Sequence, residues 1–561
     1  MKRFLFLLLL TFLGGSQLAI AANPGFLLFD AGRETVEVMS DDCRSAATFE
    51  AGPRPAKLVT LPDRQGFALL YRGSGKIFDI GNKPGGIIML DGDYRPTGKK
   101  VELPGLVINE SYLNRNGWWI IFTTGQSGSE QSPILNIINL ETAAHRQISL
   151  ESIPSAFAVY GEKELAVTLL GNQERKLQPQ LVLINLTDFK TRTFPVGFNP
   201  GAIFFIDENR LLVACGGFRE SMKYPEKILM ETAPKAVPAT VNLIDAAASQ
   251  VESIPAGYPP LTVVQDPRQP ETFYIAGVND AYPDKPSGSL WILRKNTVSA
   301  ALKVAAEPVN LFPTASGNLC LLGREELYLI DPAAEKIIKE LKLELKTQSF
   351  QISREGAFGY LSPQNSSYLH KIDLTTGAYQ KIKIAQAGLL GTFSIGNPFP
   401  DPFPPVTGME PVRQVALNNA ASDQKMFFSA DYQNLFVLSG RSEVSVVDLN
   451  TNRTDQKLKF KGKAFGIHPV PSGKYIVAST DTYWHLLSAE RTNPILSVPI
   501  LPAVQDGPGP LPLVGYYSPD GKRLIIPYEK NLYVIDTENA KYLGKFKTKV
   551  WNPVVIWAEN D

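Results

Sequence analysis

Apolar and polar residues alternate with a period of two along most of the chain, and the alternation keeps stopping at an Asp or Asn. The clearest stretch is "NLYVIDTENAKYLGKF" (531–546): an apolar run, Asp536, a polar turn, and a second alternating run. Period-two alternation buries one face of a strand, and an Asp or Asn side chain starts a turn by accepting from its own backbone. Each such unit therefore predicts a β-hairpin. The pattern recurs at 25–39, 86–103, 134–150, 181–196, 240–254, 289–304, 326–341, 368–384, 443–460 and, in degenerate form, 482–498. The turn position falls at Asp30, Asp91, Asn139, Asn185, Asp245, Arg294, Asp331, Asp373, Asp448, Ser488 and Asp536. Several successive gaps are roughly 40–50 residues, the span of one propeller blade.

Two more strand-like runs lie between most hairpins, as in "AKLVTLPDRQGFALLYRG" (56–73) and "GAIFFIDENRLLVACGG" (201–217). That makes four strands per unit, the count of a blade. "AAEKIIKELKLELK" (333–346) could pass for a helix, but its place in the repeat assigns it to a turn and an outer strand. The expected fold is all-β: a β-propeller of about eleven four-stranded units. Eleven exceeds the usual four to eight blades of one ring, so two propellers in one chain are expected. Residues 25–39 form a hairpin with no strands before it, and "NPVVIW" (552–557) is a strand with no hairpin after it. Pairing such ends in one blade covers exposed edges. One ring would then hold both chain ends, with the other inserted.

"YYSPDGKRLIIPYEKNLYVIDTENAKYLGKFKTK" (516–549) resembles a blade of the YVTN-type, WD40-like bacterial β-propeller repeats, through its Ser-Pro-Asp-Gly-Lys turn and its apolar-Ile-Asp-Thr hairpin. "PSGKYIVASTDTYWHLL" (471–487) and "EVSVVDLNTN" (443–452) match in part. The resemblance implies the propeller architecture and little chemistry, because functions vary widely on one fold.

Lys and Arg number 56 and Asp and Glu 55. That balance offers no basic field for nucleic acid. Lys2 and Arg3, the apolar run Phe4–Leu13 and the small residues of Ala19-Ile20-Ala21 make residues 1–21 a signal peptide. The apolar run is short for a membrane span, and no later stretch is long and apolar enough to be one. The mature protein is expected to be exported, whether periplasmic, cell-surface or secreted. Blades are expected over 22–395 and 412–561, separated by a Pro-rich loop or crossing at 396–411.

Chemistry is sparse. Cys43, Cys215 and Cys320 are too few for a disulfide framework, although one bridge is open to them; Cys215 and Cys320 lie in strand-like runs. His145, His370, His468 and His485 show no zinc spacing, and Cys-x-x-Cys-His and Gly-x-Ser-x-Gly are absent. "DGD" (91–93) has the carboxylates of a calcium site but sits at the repeat's own turn. Trp118 and Trp119 are adjacent, so on a strand they face opposite ways. No cofactor is indicated. The leading expectation is a non-catalytic scaffold that binds or assembles envelope or extracellular macromolecules. Two alternatives stand beside it: a hydrolase of a lactone or ester, since related propellers host such activity, and an extracytoplasmic redox partner without covalent haem. Binding is expected at "GNPFPDPFPPVTGMEP" (396–411), where Phe399 and Phe403 are carried on a Pro-stiffened run.

The export reading has a direct test. N-terminal sequencing of the mature protein is expected to begin near Ala22, whereas an intact Met1 would refute cleavage.

Overall fold

The structure is a computed structural model. It describes residues 24–29, 34–63, 65–74, 83–113, 117–124, 132–142, 144–161, 163–171, 176–217, 236–279, 287–295, 297–304, 308–314, 316–323, 325–343, 347–363, 366–384, 413–414, 426–429, 431–440, 442–462, 464–470, 474–488, 490, 493–500, 515–550 and 553–557. Every regular element among them is a strand, and the strands form eleven antiparallel blades of a β-propeller. In each blade the four strands lie side by side in order. Second and third strands are largely buried. Fourth strands, such as Lys336–Lys342, alternate exposed and covered residues, as an outer strand does. Over its described residues, 333–343, the helix-like run is therefore a turn and an outer strand.

The chain divides into two compact units. Unit one holds residues 1–149 and 513–561 and contains four blades. Unit two holds 150–512 and contains seven. In unit two the third blade gains a fifth strand. Arg413–Gln414 pairs in parallel with Thr262 and Val263 on the free edge of that blade's first strand.

The turn residues act as the pattern requires. From Asp91 to Asp536, nine of the eleven turn positions accept backbone N–H groups two to four residues on, at distances from 2.7 Å at Asp448 to 3.2 Å at Ser488. The Thr376 N–H holds the Asp373 carboxyl below the usual carboxylate value, and the Thr451 N–H does the same for Asp448. Arg294 cannot accept. Its guanidinium instead reaches the next blade, donating to Glu335 Oε1 at 2.7 Å and to the Pro332 carbonyl. Asp30 lies outside the described residues.

The first hairpin differs from its expected register. Residues 25–39 supply the second and third strands of their blade, Pro24–Phe29 and Thr35–Ser40, not the third and fourth. The fourth strand is Ser45–Glu50, and the turn into it begins at Ser40, whose hydroxyl accepts from Arg44 N–H at 3.2 Å. The first strand is Val554–Ile556, which pairs with Leu27, Leu28 and Phe29. This closing blade thus joins the two ends of the described chain.

A buried polar residue locks it. Glu37, three residues before the turn, is fully buried on the third strand. Its Oε2 accepts from the Thr548 hydroxyl at 2.7 Å and from the Lys549 N–H at 2.9 Å. Those residues belong to the connection that leads into the closing strand. The same place in other blades is used the same way. Asn242 Oδ1 accepts from Gly197 N–H at 2.9 Å, and His485 Nε2 donates to the Lys461 carbonyl at 2.8 Å. Each clamps the connection entering its own blade. Replacing Glu37 with Ala leaves the buried Thr548 hydroxyl and the half-buried Lys549 N–H unpartnered, and is expected to cost about 2–3 kcal/mol of stability by denaturant unfolding. Glu37→Gln keeps an acceptor there and is expected to cost less. Equal stability of Glu37→Ala and wild type would refute the lock.

Candidate functional site

The two ends of the blades differ in kind, and strand order explains why. Turns from first to second strand and from third to fourth strand emerge at one end. Connections from second to third strand, and from one blade to the next, emerge at the other. At the first end the turns are tight and tied to one another. The N–H just after the turn residue donates to the first-to-second turn of its own blade: Leu140 to Gly117, Leu186 to Lys163, Ala246 to Asn209, Leu374 to Ala357, Leu449 to Gln433 and Thr537 to Lys522. The long connections from second to third strand leave from the other end, as does the one that follows the fifth blade of unit two. In unit one these are 72–85 and 124–133; in unit two they are 170–179, 216–239, 279–287 and 384–412. The run carrying Phe399 and Phe403 belongs to the last of these, and both residues lie outside the described residues.

A cleft of about 550 Å³ opens at the tight-turn end of unit one. Its construction starts with Ser518-Pro519-Asp520-Gly521-Lys522. The Ser518 hydroxyl donates to Asp520 Oδ1 at 2.5 Å, Lys522 N–H donates to the same oxygen at 3.0 Å, and Arg523 N–H donates to Ser518 Oγ at 2.9 Å. Gly521 has φ +68°, which favours glycine. The Thr537 hydroxyl donates to the Gly521 carbonyl at 2.5 Å, so the Ile-Asp-Thr part of the motif binds the Pro-Asp-Gly part.

Around this turn stand Asp41, Asp536, Glu538 and Arg523, with Phe67, Tyr94 and Trp557 as the aromatic wall. Lys522 Nζ lies 3.4 Å from Glu538, and Arg523 lies 3.8 Å from Asp41 Oδ1 while donating to the Asp41 carbonyl. Burial opposes ionisation of Asp520 and Asp536. The hydrogen bonds of their turns, led by the Ser518 hydroxyl at the one and by Asn539 at the other, together with the nearby cationic side chains outweigh it and hold both carboxyls below their usual value. Burial, and then the Asp41 charge, push the Tyr94 hydroxyl up to about 12. Tyr94 packs on Phe67 with ring centres 4.4 Å apart, and Trp557 on Phe26 at 4.8 Å. Trp557 Nε1 is buried with no hydrogen-bond partner among the described residues.

The other candidates are placed as follows. All three cysteines are free and buried; burial pushes Cys43 up to about 11 and Cys215 and Cys320 up to about 12, which keeps them as unreactive thiols. Asp91 of "DGD" accepts from Asp93 and Arg95 N–H groups and is a turn. Trp119 is buried, with Nε1 donating to Glu110 Oε2 at 2.9 Å, while Trp118 is half-buried. His145 bonds Asn136 Oδ1 at 3.1 Å, and His370 packs on Tyr379. His468 and His485 share a blade but occupy its first and third strands. Among the described residues no three His, Cys, Asp or Glu side chains group as a metal site, and no helix is long and apolar enough to cross a membrane. Sequence reasoning missed the cleft, because its walls come from chain segments some hundreds of residues apart.

No family model matches the chain, and no curated protein matches it. Solved structures do. The dihydro-haem d1 dehydrogenase NirN, solved in complex with DHE, is 11% identical at TM-score 0.31, over 96% of this chain and 75% of its own. Apo AztD from Citrobacter koseri is 12% identical at TM-score 0.31, over 79% of this chain and 96% of its own. A second Citrobacter koseri AztD structure is 13% identical at TM-score 0.32, over 79% and 95%.

Burial of the His468 ring is expected to make stability depend on pH. Burial lowers His468 to about 4 from an ordinary value of 6.5. Between those values the unfolded chain binds a proton that the folded chain refuses. Stability is then full above about pH 6.5 and falls toward pH 4, by at most about 3 kcal/mol from this residue. His468→Phe is expected to flatten the stability profile over that range. An unchanged slope would assign the effect to other groups.

Proposed function

We propose that this protein is an exported, non-catalytic β-propeller scaffold that binds another envelope or extracellular macromolecule through the long connections at one end of its blades. One observation carries the reading: within each unit the long second-to-third-strand connections leave from a single end, and most turns at the other end are short. Rigid blades hold such connections with little ordering cost on binding. The run at 396–411 supplies apolar anchors, Phe399 and Phe403, of the type that dominate many interfaces. Its far end leads directly to Arg413–Gln414, fixed to the third blade of unit two. That tether supports a short, positioned binding segment.

Replacing both Phe399 and Phe403 with Ser is expected to leave the unfolding midpoint unchanged and to abolish co-purification of the partner from native envelope. If the double variant unfolds, the segment is an internal strut. If it folds and still captures every partner, the binding residues are elsewhere.

A further inference from the structure

Unit two lacks the closure that unit one has. In unit one the last strand of the described chain completes the first blade. In unit two each of the seven blades draws its four strands from consecutive places in the chain, from Pro154–Tyr160 in blade one to Leu496–Pro499 in blade seven. Among the described residues, no strand is shared between the first blade and the last. One strand does leave its place in the order. Arg413–Gln414 lies between blades five and six in the chain, yet it pairs with blade three.

The detour is not needed to join its neighbours. Five of the six junctions between consecutive blades of this unit take two to four residues. The sixth runs from Lys383 to Met426. Blades five and six nevertheless pack directly, with Tyr360 and Leu369 in one buried cluster with Leu435 and Val437. Lys371 Nζ donates to Asn452 Oδ1 at 2.7 Å, and the Thr454 hydroxyl donates to the Lys383 carbonyl at 2.6 Å. A few residues would span such a junction, as they do at the other five. The chain instead reaches blade three and returns.

The landing point is the inner edge of that blade. The first strand of a blade lies innermost, and its free edge turns unpaired N–H and C=O groups toward the propeller axis. Arg413–Gln414 pairs there with Thr262 and Val263, both fully buried. It also comes within 8 Å, Cα to Cα, of the first strand of blade two, Pro200–Phe205. The pairing therefore joins parts of the unit that chain order keeps apart, and closing a long loop in this way restricts their separation.

We propose that Arg413–Gln414 is the clasp of unit two. It ties the junction of blades five and six to the inner edge of blade three, and so does for this unit what the shared blade does for unit one. The clasp concerns how the unit is held together, and it stands whether or not 396–411 binds a partner.

The test uses the full mature chain. Facing residues of adjacent strands stand about 4.8 Å apart, within the Cα separation that a disulfide spans. Thr262→Cys with Arg413→Cys is expected to form a bridge on mild oxidation, read as a linked peptide mass after digestion. Thr262→Cys with Lys383→Cys is the control and is expected to form none. The three native cysteines are buried. The bridge is expected to raise the unfolding midpoint, and reductant to reverse the rise. Arg413→Pro with Gln414→Pro removes both N–H groups of the added strand. That pair is expected to lower the midpoint by about 2–4 °C and to speed amide exchange over Thr262–Val264 at least about tenfold. Should Thr262→Cys fail to fold, Val263→Cys with Gln414→Cys takes its place. No bridge in folded protein, or a midpoint that the two prolines leave unmoved, overturns the proposal.

Discussion

Closure of unit one depends on one short pairing, Val554–Ile556 against Leu27–Phe29, held by one buried side chain, Glu37. A blade with a free strand edge exposes unpaired backbone groups, and three residues of ladder cover that edge here. Three residues are a weak ladder alone. Glu37 strengthens it by fixing the connection that delivers the strand, so the strand arrives already aimed. Phe26 and Leu28, with Met39, then pack against Ile525 and Val534 of the last blade, while Leu27 and Phe29 pack against Leu58 and Leu69 of the next. Both faces of the closing blade become core only because the strand is in place.

The same device elsewhere shows a general rule. A third strand must present its inner residues to a neighbouring blade, yet the connection entering the blade brings backbone groups into that region. Buried backbone N–H and C=O groups need partners. Asn242, His485 and Glu37 supply them from equivalent positions. Asn136 holds a related place and ties Ile121, Thr123 and Gln147 within its own blade. Polar residues here are part of the packing.

Much of the architecture was legible because most blades announce their own turn. An Asp or Asn after an apolar run is a local signal, and the backbone it satisfies lies two to four residues away. The register of the first hairpin was not legible for the same reason. Asp30 follows "GFLLF" and imitates the repeat, while the true turn begins at Ser40, within "MSDDC". Alternation also hid the clamps: Glu37, Asn242 and His485 stand within otherwise apolar strands, and nothing local marks the connection each one holds. The cleft could not be read at all. Tyr94, Asp520 and Trp557 meet through the closure, and no one-dimensional pattern relates them. Phe399 and Phe403 lie outside the described residues, so the binding run rests on its sequence and on where its ends attach.

Because the first strand of the closing blade is the last to be made, assembly has an enforced order. Unit two is encoded wholly between the two parts of unit one, so it can finish while the N-terminal strands still wait for a partner. Until residue 554 arrives, Leu27, Leu28 and Phe29 keep a bare ladder edge open to any other chain.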